Sequence, residues 1–125
     1  MSIKNINIGE GELEIMKAVW KAKKPISCSE IGKAVEQKGW KRTTIATFLS
    51  RLVEKGALTA EKEGRSLYYT PAITSAEYKK SQIRHLLKNV FDGSVKDFAV
   101  SLFDEEKLSD DEIKELRSVF DDKEK

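Results

Sequence analysis

In "EGELEIMKAVWKAKK" the apolar residues Leu13, Met16, Val19 and Trp20 return at steps of three and four, with Ile15 on the flank. That spacing lines one face of an α-helix, and Pro25 stops it. In "PISCSEIGKAVEQKG" Ser27 and Glu30 stand three apart ahead of Ile31, Ala34 and Val35. A hydroxyl and a carboxylate so placed can each accept a backbone N–H of the first turn, so a second, short helix is expected, ending at Gly39. The stretch "GWKRTTIATFLSRLVEKG" then carries Ile45, Phe48, Leu49 and Leu52 as a buried stripe, extended by Val53 and ended by Gly56.

After Gly56 the pattern changes. "ALTAEKEGRSLYYTPA" places strand-favouring residues on both sides of the turn signal "EGR", which predicts a β-hairpin closed by Pro71. Three short helices followed by a hairpin make a winged helix-turn-helix domain, expected over residues 1–73.

Three more amphipathic segments follow. Thr74 and Glu77 open the first, which carries Ile83, Leu86, Leu87 and Val90 on one side and ends at Asp92 and Gly93. Ser94 caps the second, with Val95, Phe98, Ala99 and Leu102 inward, and Ser109 with Glu112 opens the third, whose stripe is Ile113, Leu116 and Phe120. Residues 74–125 are therefore expected as a C-terminal three-helix domain. About fifty residues of three thin helices form a marginal core alone, so this half is expected to fold against a second copy of itself. The dimerisation residues would be Ile83, Leu86, Leu87, Val90, Phe98, Leu102, Ile113, Leu116 and Phe120. The expected fold is mainly α with a small β-hairpin wing.

Charge sharpens the division. Residues 1–73 hold 13 Lys and Arg against 8 acidic residues, a net of +5, whereas residues 74–125 hold 10 against 13, a net of −3. A basic half points to a polyanionic partner. No stretch reaches the run of about 20 apolar residues needed to cross a bilayer, and the first residues lack a signal-peptide core, so a cytoplasmic protein without membrane insertion is expected. One cysteine, Cys28, and one histidine, His85, supply neither a disulfide nor a metal-ligand cluster, and no catalytic triad or glycine-rich phosphate loop is present. No cofactor, metal or enzymatic activity is expected.

The chemistry lies on the third helix. Opposite its stripe stand Thr43, Thr44, Thr47, Ser50 and Arg51, with Lys41 and Arg42 at the start. Each β-branched threonine lowers helix propensity by a few tenths of a kcal/mol, so a face meant only for water would favour Glu, Lys and Gln. Short hydroxyl side chains instead let a helix sit deep in a DNA major groove, bonding base edges or phosphates, while Lys41, Arg42 and the first helical N–H groups meet phosphates. Arg65, near the hairpin tip, is a further candidate for contact with the DNA backbone or minor groove. Trp20 and Trp40 are expected in packing roles, Trp40 also orienting the helix it precedes.

"ELEIMKAVW", "GWKRTTIATFLSRLVEKGAL", "EKEGRSLYYTP" and "LSDDEIKELRSVF" together resemble the penicillinase repressor and methicillin-resistance repressor family of bacterial winged-helix regulators, over about residues 8–121. The resemblance implies a homodimeric transcriptional repressor on a palindromic operator in double-stranded DNA. Its recognition positions fall on Lys41, Arg42, Thr43, Thr44, Thr47 and Arg51, with Arg65 in the wing, and its C-terminal helices intertwine with the partner chain. Several members are inactivated when a membrane sensor triggers cleavage in the fifth helix, typically between Asn and Phe. Here the matching segment is "VSLFDE", which places the candidate cleavage at Ser101, Leu102 and Phe103 without an Asn. The paired cysteines of a copper-responsive branch are absent from this sequence. The competing reading is a winged-helix module that binds another protein and has no specific DNA binding.

Overall fold

A computed structural model describes residues 6–105 and 108–124, with side-chain surroundings given for these residues except 103–105 and 120–124. The chain order is α1 (Glu10–Ala22), β1 (Ile26–Ser27), α2 (Cys28–Ala34), a single 3-10 turn (Glu36–Lys38), α3 (Arg42–Glu54), β2 (Leu58–Glu63), β3 (Ser66–Pro71), α4 (Ser75–Asn89), α5 (Val95–Glu105) and α6 (Asp110–Glu124). Packing divides it into two compact units, residues 1–83 and 84–125. Tyr78 and Ser81, on the first half of α4, are buried with the N-terminal unit.

The three expected capping boxes form. Ser27 Oγ accepts the Glu30 N–H at 3.2 Å and the Glu30 carboxylate accepts the Ser27 N–H at 3.0 Å. Thr74 with Glu77, and Ser109 with Glu112, repeat the exchange at 2.9–3.1 Å. At the end of α3, Gly56 takes φ +84°, its N–H donating to Val53 and the Ala57 N–H to Leu52, a Schellman closure that a side chain at Gly56 would strain.

The core of the N-terminal unit is built from Ile15, Met16 and Val19 of α1, Ile31 of α2, Leu49 and Leu52 of α3, Leu58 of β2 and Ile73, all essentially inaccessible. Burying each such side chain contributes about 1.5–3 kcal/mol. Ile15 stands at the centre of the α1 face, with Leu13 only half-buried. The reverse is expected from the apolar pattern alone, because the inward residue beside Ile15 is the charged Glu12, which an apolar count skips. Ala34 and Val53 are likewise exposed, not inward. The Trp20 indole N–H donates to the Ile73 carbonyl at 2.9 Å and its ring lies 5.9 Å from that of Tyr78.

The hairpin belongs to a three-stranded antiparallel sheet in the order β1-β3-β2, with Ile26 and Ala60 flanking Tyr69. The third strand, β1, is two residues long, too short to leave an alternating signature in sequence. Gly64 and Arg65 form the two-residue wing turn, with φ +65° at Gly64, the backbone a type II′ turn asks of its first central residue.

Glu12 is buried at 5% exposure, where its carboxylate accepts the Lys55 ammonium and, at 3.0 Å, the Gly9 N–H. Burial pushes this carboxyl up, but the Lys55 hydrogen bond, the Gly9 N–H and the charges of Lys55 and Arg51 outweigh it and hold the group below its usual range. A lowered native value makes the pair's contribution complete above the ordinary carboxylate range and lost as pH falls through the native value. Lys55→Ala is expected to cost about 1–2 kcal/mol at neutral pH. This is less than the roughly 3–5 kcal/mol of a fully buried pair because the Lys55 side chain is 35% exposed. Urea unfolding of wild type and variant should converge only as pH falls through the lowered native value of Glu12, below the ordinary carboxylate range, where the carboxyl is protonated in both.

In the C-terminal unit no described side chain is fully buried. Leu86, Leu87, Phe91, Phe98, Ala99, Leu102, Ile113 and Leu116 are half-buried, and Phe91 meets Phe98 edge to face at 5.5 Å. Val95, expected to point inward, is 65% exposed, because at the start of α5 it has no neighbouring layer to enter.

Candidate nucleic-acid interface

Helix α3 is held by its stripe and turns its opposite face to solvent. Thr43, Thr47, Ser50 and Arg51 are exposed and Thr44 is half-buried, with Lys41 and Arg42 exposed at the start. Thr44, Thr47 and Arg51 follow one another at i, i+3 and i+7 and share one line of α3, Thr43 and Ser50 lie on the adjoining line, and Lys41 and Arg42 stand at the helix start. Arg65 is exposed at the separate wing turn. Lys41, Arg42, Arg51 and Arg65 have no ion pair among the described residues, whereas Lys38 and Lys55 are taken up by Glu14, at 3.9 Å, and Glu12.

Two features sharpen the chemistry. The Thr47 hydroxyl donates to the Thr43 carbonyl one turn back at 2.9 Å, so its proton is committed and its lone pairs and methyl group are what it offers a partner. The N-cap of α3 is Lys41, without a side-chain hydrogen bond, and its first turn holds no acid. Every other described α-helix has a side chain bonded at its start, from Glu12, Ser27 with Glu30, Thr74 with Glu77, Ser94, or Ser109 with Glu112. Placing Lys41 and Arg42 at the positive end of the helix dipole costs roughly 0.3–1 kcal/mol each, which an incoming anion would reverse.

Ala46 is exposed on the same face, three residues after Thr43 and four before Ser50. An alanine carries no polar label in sequence, and its spacing is the one signal that could have marked it. Gly11, which lies under Phe48, leaves no sequence signal at all, since its meaning depends on which residue of α3 arrives there.

The expected dimerisation residues divide. Ile83 (46%) and Val90 (64%) are exposed, while Leu86, Leu87, Phe98, Leu102, Ile113 and Leu116 are half-buried. The side chain of Phe120 lies outside the described residues. Leu102, Leu108, Leu116 and Val119 line an apolar groove of about 370 Å³ between α5 and α6, rimmed by Glu112 and Glu115. Ser101 and Leu102, at the candidate cleavage position, are helical in α5, and the Phe103 side chain lies outside the described residues. Among the described residues no cluster of His, Cys, Asp or Glu is placed to hold a metal ion, and no helix is long and apolar enough to cross a membrane.

The model of the penicillinase repressor family matches residues 8–122. The penicillinase repressor of Bacillus licheniformis is 34% identical over 116 residues, covering 92% of this chain and 90% of its own. The methicillin resistance regulatory protein MecI of Staphylococcus aureus is 29% identical over 98% of this chain and all of its own. Among solved structures, the monomeric form of the B. licheniformis repressor BlaI in complex with the blaP half-operator is similar at 42% identity and a TM-score of 0.52, over 60% of this chain and 92% of that one. On that extent of similarity, the chain belongs to the penicillinase repressor family.

Proposed function

We propose that the chain is a dimeric, sequence-specific DNA-binding repressor acting in the cytoplasm, in which each protomer's α3 enters the major groove of one half of a palindromic operator. The observation that carries this reading is the outer face of α3. Hydroxyls, a small Ala46 and cations without an ion pair among the described residues stand there together, beside a helix start that no described side chain caps. Lys41, Arg42 and the first N–H groups meet phosphates, Thr43, Thr44, Thr47, Ser50 and Arg51 meet base edges or the sugar-phosphate chain, and Arg65 reaches the flanking backbone. Ala46 and the Thr47 methyl suit a thymine methyl. Membership in a family where BlaI has been solved on a half-operator supports the same partner class here.

Dimerisation follows from the incomplete core of the C-terminal unit, whose half-buried leucines and phenylalanines a second copy would cover. Residues 74–125 then serve as the dimerisation domain. Cutting α5 at Ser101 to Phe103, by a protease linked to a membrane sensor, would release repression by dissolving that pairing. The helical segment has to unwind before a protease can seat it.

A gel shift comparing DNA from upstream of this protein's own gene with random duplex of equal length tests the proposal. A strong preference for the upstream DNA is expected, and equal affinity for both would leave only the protein-binding module. Thr44→Ala and Thr47→Ala are each expected to cost about 1 kcal/mol on the preferred duplex and much less on random DNA, in competition titrations. Equal losses on both duplexes would assign these threonines to phosphate contact instead.

A further inference from the structure

Two consecutive residues at the start of α1 meet α3 along the border between its buried stripe and its outer face. The ideal Cβ position of Gly11 lies 2.7 Å from Phe48 Cζ and 3.0 Å from Phe48 Cε2, so the ring occupies the space a side chain would need. The ring cannot retreat freely, because Trp40 closes on it edge to face at 5.1 Å. The next residue, Glu12, holds Lys55, the C-cap of α3, seven positions after Phe48. Phe48 and Lys55 thus share one line of the helix, with Thr44 one turn before Phe48 and Arg51 between the two. The middle of α3 and its C-cap are thus both tied to the same turn of α1. Trp40 directly precedes Lys41, so the ring that fixes Phe48 also fixes the start of the helix.

We infer that Gly11, Phe48 and Trp40 are positioning residues for DNA recognition, setting the depth and rotation of α3 so that Thr44 and Thr47 reach base edges in register, with Arg51 on the adjoining sugar-phosphate chain. This rests on the DNA-binding reading above. A methyl at Gly11 would displace Phe48 and tilt α3 about the Glu12–Lys55 tie. The cations would still find phosphates, since phosphate contact tolerates small shifts, whereas base-edge hydrogen bonds fail beyond about 3.5 Å.

The test uses the full-length protein and a palindromic duplex recovered by the wild type from a randomised pool, with random duplex as the second probe. Gly11→Ala and Phe48→Leu are each expected to lower the ratio of specific to random affinity about tenfold, with random-duplex affinity and its salt slope unchanged within about twofold. In Gly11→Ala/Phe48→Leu the alanine methyl replaces the lost edge of the ring, so the double variant should lose no more than either single one. Phe48→Leu adds no volume and keeps the test open where Gly11→Ala fails to fold. Lowered thermal stability with an unchanged ratio, or losses that multiply in the double variant, would overturn the inference. Failure of the wild type to recover any preferred duplex would instead overturn DNA recognition itself.

Discussion

Leu86→Asp and Phe98→Asp chains are expected to sediment as monomers at micromolar concentration and to bind the palindromic operator at least ~100-fold more weakly than the wild type. Both side chains are half-buried in a unit that has no fully buried described residue, and in the proposed dimer a second copy would complete their burial. Placing a carboxylate there would bury an unpaired charge in the pairing surface, at a cost of several kcal/mol. Linking two weak half-site contacts raises affinity by about 10²–10⁴ through effective concentration alone, and that gain vanishes when the chains separate. The N-terminal core is built without either residue, so each monomer should keep its affinity for random duplex. A variant that still sediments as a dimer would move the interface to another surface.

Raising salt from 50 to 200 mM is expected to weaken operator binding about 10⁴-fold. Four cations per chain, Lys41, Arg42, Arg51 and Arg65, are exposed and free of ion pairs among the described residues, which makes eight in a dimer. Neutralising about eight phosphates releases their counterions and gives a slope near −7 in log affinity against log salt. Lys38 and Lys55 do not enter this count, because Glu14 and Glu12 hold them. Charge-removing substitutions at any of the four should flatten the slope by about one to two in the dimer, and a slope near zero in the wild type would rule out phosphate-dominated binding.

What could be read in advance was what depends on neighbours in sequence. The capping boxes at Ser27, Thr74 and Ser109, the Gly56 helix stop and the threonine-rich face of α3 are patterns within one turn or one helix, and the structure reproduces them. What could not be read involves partners far apart in the chain. Glu12 counts as polar until Lys55, 43 residues on, buries and neutralises it. Gly11 looks like a weak helix residue until Phe48 lies against it, and β1 exists because Tyr69 offers it a partner. Ala46 leaves no polar signal, for a different reason: a small apolar side chain on an exposed face is informative only once the face has been assigned a partner.

Two copies of α3 presented to successive major grooves require half-sites one helical turn, or a whole number of turns, apart on one face of the duplex. Inserting five base pairs between the halves of the preferred palindrome rotates one half-site by about half a turn and leaves every base contact within each half available. Titrated at fixed salt against the unaltered duplex, the inserted duplex should bind about 100-fold more weakly, and a ten-base-pair insertion should recover part of the loss. Equal affinity for the unaltered and five-base-pair duplexes would contradict paired recognition by a twofold dimer.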